Sequence, residues 1–479
     1  MTNPSPAPEA PPSLYAARIP IFPKRVYGFF RTLKWRIMLL TLGVYYLAPW
    51  LRWDRGPDLP DQAILVDLAG RRFFFLWIEI WPHEFYFVAG LLVMAGLGLF
   101  LFTSALGRVW CGYTCPQTVW TDLFIAVERW VEGDRNARIR LLKAKWDAKK
   151  LRLRLTKWAL WLLIGVATGG AWVFYFADAP TLAVDLVTGQ AHFVAYAAIA
   201  LLTATTFVFG GFMREQVCIY MCPWPRIQAA MMDEQSLTVA YREWRGEPRG
   251  KHIKAEGAAK LGDCVDCNAC VAVCPMGIDI RKGQQLECIT CALCIDACDD
   301  VMGKLGRPRG LIDYLSLADE KAERAGGRAT SPWRRVFRPR VMLYTAGWSL
   351  VGLALLFALF IRSDVDLDVD PVRNPVYVTL SDGSVRNAYD IRVRNKQGAE
   401  ATFRISVTGA PGLRLAVEGT EERRVTVAPD QTGKARAYLV AKPEDELAQG
   451  GRVPLRFWVE DVATGARNSA PASFTGKGE

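Results

Sequence analysis

The 479-residue sequence contains only three histidines and lacks the Cys-x-x-Cys-His motif that attaches haem covalently. It also lacks a Gly-x-Gly-x-x-Gly motif after a predicted strand, so nothing in it points to nicotinamide or flavin chemistry carried out by the chain itself. None of the twelve cysteines lies before residue 111 or after residue 298. The residues that carry chemistry are therefore expected in the middle of the chain.

Charge is absent from four stretches of about twenty residues, which are 85–106, 158–177, 193–213 and 341–361. A helix of that length rises about 30 Å, enough to cross the apolar core of a bilayer. A fifth and shorter run, 37–51, lies between Arg36 and Arg52, whose long side chains can reach the interface. The sequence therefore predicts five transmembrane helices. Buried helices of a large soluble core are the alternative, but such helices rarely contain so many consecutive apolar residues.

The net charge of +11 follows membrane topology rather than a pattern typical of nucleic-acid binding. Residues 107–157 contain twelve Lys or Arg, whereas the turn at 178–192 contains none. Positive loops stay on the cytoplasmic side, which places 107–157, 214–340 and the N-terminus inside and everything after 362 outside. All twelve cysteines then lie in a reducing compartment, so disulfides are not expected.

These features divide the sequence into five segments, and the predicted fold class is a multidomain membrane protein. We expect a cytoplasmic, disordered N-terminus (1–34), a four-span α-helical membrane domain (35–232), a cytoplasmic two-cluster ferredoxin-like domain (233–340), a fifth transmembrane helix (341–361) and a periplasmic domain (362–479). In the last segment, short alternating runs divided by Gly, Pro, Asn and Asp predict an antiparallel β-sandwich of about seven strands.

Two further stretches carry local predictions. Residues 127–157 alternate apolar and basic positions at helical spacing, which predicts a basic amphipathic helix on the inner leaflet or, equally, a solvated charged helix. The run "FFFLWIEIW" at 73–81 is too short to span a bilayer and contains Glu79, so we place it at the outer interface.

Eight cysteines form two quartets with identical spacing, Cys-x2-Cys-x2-Cys-x3-Cys. In ferredoxins with two 4Fe-4S clusters, the first three cysteines of such a quartet bind one cluster and the fourth binds the other. We therefore predict that cluster one is bound by Cys264, Cys267, Cys270 and Cys298. By the same rule, cluster two is bound by Cys288, Cys291, Cys294 and Cys274. Structural zinc sites use two pairs of ligands instead of two quartets.

The hexapeptide Cys-x-Tyr-x-Cys-Pro occurs twice, once with Cys111 and Cys115 and again, 107 residues later, with Cys218 and Cys222. Each copy follows a predicted span, which indicates a duplicated helical hairpin. If the motif is helical, cysteines at i and i+4 share a face, and the two pairs converge on one four-thiol site. Thiolates are soft ligands that suit Cu(I). The alternative is that these cysteines only pack at helix ends.

Two histidines begin the second and fourth predicted spans, 28 and 26 residues ahead of Cys111 and Cys218. His83 and His192 would lie at the outer ends of the hairpins, where they are candidate ligands for a metal or a quinone head group. Ordinary interface residues are the competing interpretation.

Several motifs together resemble one family: "CGYTCPQTVWTDLF", "CIYMCPWPRIQ", the ferredoxin segment with its "GIDIRKGQQLECI" connector, and the β-sandwich tail. They resemble the cytochrome c oxidase accessory proteins, the FixG or CcoG type of membrane polyferredoxin. The resemblance implies a protein of the bacterial inner membrane with two 4Fe-4S clusters on the eight quartet cysteines and an immunoglobulin-like tail. It implies reduction of Cu(II) to Cu(I) for the copper centre of cbb3-type cytochrome c oxidase.

The same resemblance implies that copper is the substrate and that the motif cysteines act on it, namely Cys111, Cys115, Cys218 and Cys222. Expected partners are the membrane, copper chaperones or oxidase assembly factors, an electron donor that is either quinol or a cytoplasmic reductase, and, as one option, a second copy of the chain. No nucleic-acid partner is expected.

Membrane ferredoxins that serve nitrate and nitrous oxide reductases share the hairpins, the Cys-x3-Cys-Pro motifs and the twin clusters, and pass electrons outward from quinol. Three functions therefore stay open at the level of the sequence: a cupric reductase, a quinol dehydrogenase that conducts electrons to a periplasmic acceptor, and a non-enzymatic copper carrier with structural clusters.

Overall fold

The computed structural model describes residues 19–56, 59–81, 84–250, 261–327, 334, 337–362, 365–397, 399–420, 422–429 and 431–478. The chain divides into two compact units. The first comprises Met1–Leu51 with Ile64–Gly352, and the second comprises Arg52–Ala63 with Leu353–Glu479. Apart from residues 52–63, the predicted membrane domain belongs to the same unit as the ferredoxin-like segment. His83 and residues 1–18 of the predicted N-terminal segment lie outside the described residues.

The helices in chain order are α1 Phe29–Leu47, α2 Tyr86–Leu106, α3 Val109–Tyr113, α4 Pro116–Glu132, α5 Arg135–Lys143, α6 Ala148–Val173, α7 Ala179–Thr188, α8 Phe193–Thr206, α9 Trp224–Met231, α10 Glu243–Gly246, α11 Ala269–Val273, α12 Leu293–Lys304, α13 Leu317–Arg324, α14 Pro339–Phe360 and α15 Glu446–Gln449. Two π-helical segments, Phe207–Met213 and Val217–Met221, connect α8 to α9.

Among the described residues, three helices are long and apolar enough to cross a membrane: Tyr86–Leu106, Phe193–Met213 and Pro339–Phe360. At most 22% of their most apolar windows is buried, so most of these side chains face away from the protein, as lipid-facing side chains do. The other two predicted spans, 37–51 and 158–177, overlap α1 and α6, whose N-terminal turns carry basic residues. Five spans therefore stay a prediction.

The prediction of a single amphipathic helix over residues 127–157 is wrong. Helix α4 ends at Glu132. The next residue, Gly133, has a φ of +88° and occupies the left-handed region that favours glycine. Helix α6 begins after Asp147, whose carboxylate accepts a hydrogen bond from the backbone N–H of Lys150 at 2.6 Å. Basic side chains of this stretch are also paired inside the protein, since the fully buried Arg138 donates to Glu128 at 2.9 Å.

The ferredoxin-like segment contains α11 and α12 and a two-stranded antiparallel sheet of β4 Thr238–Tyr241 and β5 Ile312–Leu315. The two quartets follow the same backbone path. In each, the residues flanking the second cysteine have positive φ: Asp266 and Asn268 in the first quartet, Thr290 and Ala292 in the second. A helix then begins and contains the third cysteine. Along this repeated path, the first three cysteines of each quartet line one cavity.

The N-terminal segment is tied to this cysteine-rich region. The N–H of Lys24 donates to the carbonyl of Ala272 at 2.8 Å. The carboxylate of Asp296 in α12 accepts from the N–H groups of Phe30 at 3.2 Å and Arg31 at 2.7 Å, which satisfies free donors in the first turn of α1. The start of α1 is thereby fixed to α12.

A three-stranded antiparallel sheet in the first unit contains β1 Ile64–Asp67, β2 Arg72–Phe75 and β3 Ile78–Ile80. It includes the aromatic run that was expected at the outer interface. The run is therefore a β-hairpin, in which Glu79 forms an ion pair with Arg72 at 3.1 Å.

The second unit contains two antiparallel sheets around one apolar core. Its strands are β6 Val365–Pro371, β7 Val378–Thr379, β8 Val385–Asn395, β9 Ala401–Thr408, β10 Arg414–Val417, β11 Arg424–Val427, β12 Thr432–Ala441, β13 Arg452–Asp461 and β14 Arg467–Thr475. One sheet has the order β10-β12-β8-β6, with β7 paired to β8, and the other has the order β11-β9-β13-β14.

The predicted β-sandwich is confirmed, and each of the seven predicted runs overlaps a strand. The strands β6 and β14 escaped the prediction. In "VDLDVDP" Val365, Leu367 and Val369 alternate with aspartates, so β6 carries the pattern of a half-buried strand and was overlooked. Small residues dominate "RNSAPASFT", so β14 lacks that apolar alternation.

Candidate functional site

The two Cys-x3-Cys-Pro motifs have similar backbone paths at the ends of α2 and α8. In each copy the first cysteine lies in a short helical segment, Cys111 in α3 and Cys218 in the π-helix Val217–Met221. The second cysteine is extended, with ψ of 127° at Cys115 and 124° at Cys222. A following proline disfavours the helical conformation of the preceding residue. The motif is therefore not one continuous helix, and the shared-face argument does not apply to it.

The four motif thiols lie in one neighbourhood. Burial raises the pKa of Cys111 to about 11 and that of Cys218 to about 12, and the thiols of Cys115 and Cys222 add to both increases. Within the described ranges, however, no group of three or more His, Cys, Asp or Glu side chains is arranged to hold a single metal ion. The thiols thus share a region without forming a closed site for one ion.

Gln228 joins the two hairpins at this point. The Sγ of Cys111 donates to the side-chain oxygen of Gln228 at 2.9 Å, and Gln228 is 1% exposed on α9. Its amide group also donates to Thr103 of α2, at 3.4 Å. The sequence analysis missed Gln228, because only tertiary packing brings it beside the first motif.

Two cavities occupy the ferredoxin-like segment, and each is faced by several cysteines. The first is lined by Cys264, Cys267, Cys270 and Cys298, together with apolar side chains such as Val301, Met302 and Leu311. The second is lined by Cys274, Cys288, Cys291 and Cys294, and also by Cys270. Cys270 therefore borders both cavities, which makes them neighbours.

The donor set of both cavities fits a 4Fe-4S cluster, which is bound by four cysteine thiolates. None of the cysteines forms a disulfide. Burial raises the pKa of Cys270 and of Cys288 to about 11, so these thiols hold their protons at neutral pH without metal, and cluster binding must release them. The crossed assignment of the eight ligands is compatible with these cavities and stays a prediction.

The first motif packs directly on the second quartet. A Cβ at Gly112 would lie 2.6 Å from the carbonyl oxygen of Ile289 and 3.1 Å from the backbone nitrogen of Cys291. The neighbouring Tyr113 hydroxyl donates to the carbonyl of Cys291 at 3.2 Å. The backbone of α3 thus touches the loop that presents two of the proposed ligands of cluster two.

Arg108 lies close to both the motif thiols and Cys288 of the second quartet. Arg108 is 5% exposed, and its Nη1 donates to the carbonyl of Leu286 in the connector between the quartets. Burial raises the pKa values of Cys111, Cys218 and Cys288, and the charge of Arg108 opposes the increase at all three. Arg108 therefore stabilises negative charge both on the motif thiols and on Cys288 of the second quartet.

The helix that follows the first motif, α4, contains two buried carboxylates that form ion pairs. Asp122 of α4 accepts from Arg31 at 2.8 and 2.9 Å and lies 3.8 Å from Lys34. Glu128, one and a half turns further along α4, pairs with the basic side chains of Arg138, Lys157 and Arg214. Isolated acids among the apolar residues of α4 are a weak sequence signal of these pairs.

His192 is an exposed residue immediately before α8. In the part of the chain that the structure describes, it belongs to no group of metal-binding side chains. A role for His192 or His83 stays a prediction.

Three family models match the chain. Residues 213–317 match a 4Fe-4S dicluster domain, residues 87–136 match a 4Fe-4S binding domain, and residues 355–477 match an IG-like fold at the C-terminal of FixG. The second of these matches contains the first Cys-x3-Cys-Pro motif. The iron-sulfur and immunoglobulin-like parts of the predicted fold are therefore supported independently.

Several proteins are similar over nearly the whole chain. Protein RdxB of Cereibacter sphaeroides is 68% identical over 467 residues, covering 97% of this chain and 98% of that protein. Protein RdxA of the same organism is 63% identical over 94% of this chain and 95% of its own. Nitrogen fixation protein FixG of Rhizobium meliloti is 55% identical over 96% of this chain and 93% of its own.

Among solved structures, a FixG-related protein from Vibrio parahaemolyticus matches with a TM-score of 0.22 and 18% identity, covering 24% of this chain and 99% of that one. The full-length similarities, the iron-sulfur domains and the apolar helices agree with one another. The chain belongs to the FixG-type family of membrane iron-sulfur proteins.

Proposed function

We propose that this protein is a cupric reductase that uses two 4Fe-4S clusters to reduce Cu(II) to Cu(I) and supplies Cu(I) for the copper centre of cbb3-type cytochrome c oxidase. The observation that carries the proposal is the direct packing of the first thiol motif on the second cysteine quartet, through Gly112 and Tyr113. A copper-binding sulfur site in contact with a redox cofactor site is what single-electron reduction of a bound ion requires.

In this proposal, the quartet cysteines and the motif cysteines have different roles. The quartet cysteines would bind the clusters. Cys264, Cys267, Cys270 and Cys298 would hold one cluster, and Cys274, Cys288, Cys291 and Cys294 the other. When bound, such clusters supply electrons one at a time. Each Cu(II) takes up one electron to become Cu(I), so a two-electron donor accounts for two copper ions.

The motif cysteines suit a copper ion that is a substrate. Cys111, Cys115, Cys218 and Cys222 offer soft sulfur ligands, which favour Cu(I) over Cu(II) and so favour reduction. Their thiols share one region but form no closed site for a single ion among the described residues. An open arrangement of this kind permits the product to leave, whereas a closed four-thiolate site would retain it.

The proposed location is the inner membrane of a bacterium. The distribution of Lys and Arg supports a cytoplasmic position for the cysteines and a periplasmic position for the immunoglobulin-like domain. Cu(I) would pass to a copper chaperone or to an oxidase assembly factor.

One anaerobic experiment tests this function. The purified protein is reduced with dithionite, excess reductant is removed, and Cu(II) is added with a Cu(I)-specific chelator while cluster absorbance is followed. We expect one chelated Cu(I) for each electron lost from the protein. Cluster reoxidation by a quinone analogue without any Cu(I) would instead identify a quinol-linked conduit, and copper binding without cluster reoxidation would identify a carrier.

A further inference from the structure

A cavity of about 510 Å³ lies against Cys288, outside the two cysteine-lined cavities. Its volume falls within the range of roughly 300 to 1,000 Å³ that is typical of small-molecule sites. Cys288 also lines the second cysteine cavity, so this one side chain borders both spaces. A molecule in the larger cavity would contact a proposed ligand of cluster two directly.

The walls combine apolar surface with hydrogen-bond donors. Met232, Leu286 and Leu317 provide apolar surface. Arg108 lines the cavity at 5% exposure, and its guanidinium is a cationic hydrogen-bond donor that suits a ligand oxygen. Gln284 lies in the same wall, and its amide group donates to Thr238 at 2.8 Å.

The cavity lies beside the ends of two apolar helices. Arg108 follows the last residue of α2 by two positions. Asp233, another lining residue, accepts from Arg338 at 2.9 Å and pairs with Arg340 at 3.2 Å, at the start of α14. Both α2 and α14 have the length and composition of membrane spans. A carrier dissolved in the membrane could therefore place a polar head group in this cavity and leave its apolar tail among the lipids.

We propose that this cavity binds the electron donor, and that the donor is the hydroquinone head group of a membrane quinol. The apolar wall receives the ring, and the Arg108 guanidinium donates to a ring oxygen. Oxidation to the quinone releases two electrons, which leave one at a time toward the cluster beside Cys288, and two protons, which pass to solvent at the rim, where the Glu234 side chain is 67% exposed. This inference rests on the proposed function, because it names the donor for that reaction.

Two adjacent alanines of α9 provide the test. Ala229 and Ala230 are both exposed, but only Ala229 lines the cavity. Ala229→Trp would fill the cavity, and Ala230→Trp adds the same bulk beside it. Decylubiquinone binding to the full-length, cluster-loaded protein is measured by titration calorimetry, and the decylubiquinol-driven bleaching of cluster absorbance by stopped flow.

We expect Ala229→Trp to weaken binding and slow the bleaching about tenfold or more, while Ala230→Trp stays within about twofold of the unsubstituted protein. If Ala229→Trp does not fold, Gln284→Leu replaces it, with the same expected direction. Equal behaviour of the two tryptophan variants, no decylubiquinone binding to the unsubstituted protein, or reduction by free reduced flavin but not by decylubiquinol would each overturn the inference.

The test also separates this inference from the proposed function. Ala229→Trp that has been reduced with dithionite should still yield Cu(I) at the unsubstituted level, because its copper thiols are unchanged. If the unsubstituted protein gives no Cu(I) but binds decylubiquinone, the cupric reductase proposal fails and the quinol site stands.

Discussion

The hydroxyl of Tyr113 donates a hydrogen bond to the carbonyl oxygen of Cys291 at 3.2 Å. Tyr113 is buried, and it belongs to the first Cys-x3-Cys-Pro motif, whereas Cys291 belongs to the second cysteine quartet. This bond joins two parts of the chain that are 178 residues apart. Several consequences of the contact can be measured.

Tyr113→Phe removes this hydrogen bond and leaves the ring in place. We expect a loss of about 1 kcal/mol in the free energy of unfolding. Cluster two should also lose iron faster, and the rate of iron loss to a chelator measures this. Tyr220→Phe is the matched control, since Tyr220 has the same place in the second motif but is 66% exposed. Equal rates for both variants would contradict a role for this bond.

Gly112→Ala tests the close approach of the two backbones. The added methyl group would lie 2.6 Å from the carbonyl oxygen of Ile289, so the backbones must separate. Overpacking of this kind costs about 1 to 3 kcal/mol. We expect a lower melting temperature and lower iron content. Gly96→Ala in α2 serves as the control, because its Cβ would meet nothing within 4 Å.

The motif cysteines carry the copper prediction. We expect serine replacement of Cys111 or Cys218 to lower the yield of chelated Cu(I) about tenfold, because each removes a soft ligand. Iron and sulfide content should stay at the unsubstituted level, since neither residue lines a cluster cavity. Thr114→Ser, a change within the first hexapeptide, should leave both quantities unchanged. If single serine variants of Cys111, Cys115, Cys218 and Cys222 all reduced copper as the unsubstituted protein does, these residues would serve only in packing.

Arg108→Gln removes the cation that faces Cys288 and Cys111. An added electron on cluster two is then less favourable by about 1 kcal/mol, because one nearby positive charge is lost. The midpoint potential should fall by roughly 40 mV for a one-electron couple, because 59 mV corresponds to a tenfold change in the equilibrium constant. A redox titration followed by electron paramagnetic resonance measures it. Arg108→Lys keeps the positive charge, so the midpoint potential of cluster two should stay close to that of the unsubstituted protein.

Asp122→Asn leaves Arg31 and Lys34 buried without a negative partner, a change that typically costs about 3 to 5 kcal/mol. Asp300→Asn is the control, because the exposed Asp300–Lys304 pair contributes about 0.5 kcal/mol. Burial raises the pKa of Asp122, but Lys34 and Arg31 lower it more, so that the net pKa lies below its usual 3.8.

The pH dependence of this stabilisation follows from the lowered pKa. The stabilisation is complete above the unfolded-state pKa and is lost as the pH falls through the lower folded-state value. The difference in melting temperature between the unsubstituted protein and Asp122→Asn should therefore stay constant from pH 6 to pH 8. A difference that shrinks within this range would contradict the assignment.

The sequence by itself determined the features that depend on short spacing. The eight cysteines of the quartets, the two hexapeptides, the uncharged runs of α2, α8 and α14 and seven of the nine sandwich strands were all predictable. Ligand spacing, helix length and strand alternation are local properties, so a few consecutive residues suffice to express them.

Only the tertiary structure decided which of these features meet. The contact of Gly112 with Ile289, the position of Arg108 close to two sulfur sites, and the cavity beside Cys288 join residues far apart in the chain. The break at Gly133 and the strand β14 also depended on packing that outweighs local pattern. Side-chain contacts over such separations are set by how whole elements pack, and no short stretch of sequence encodes them.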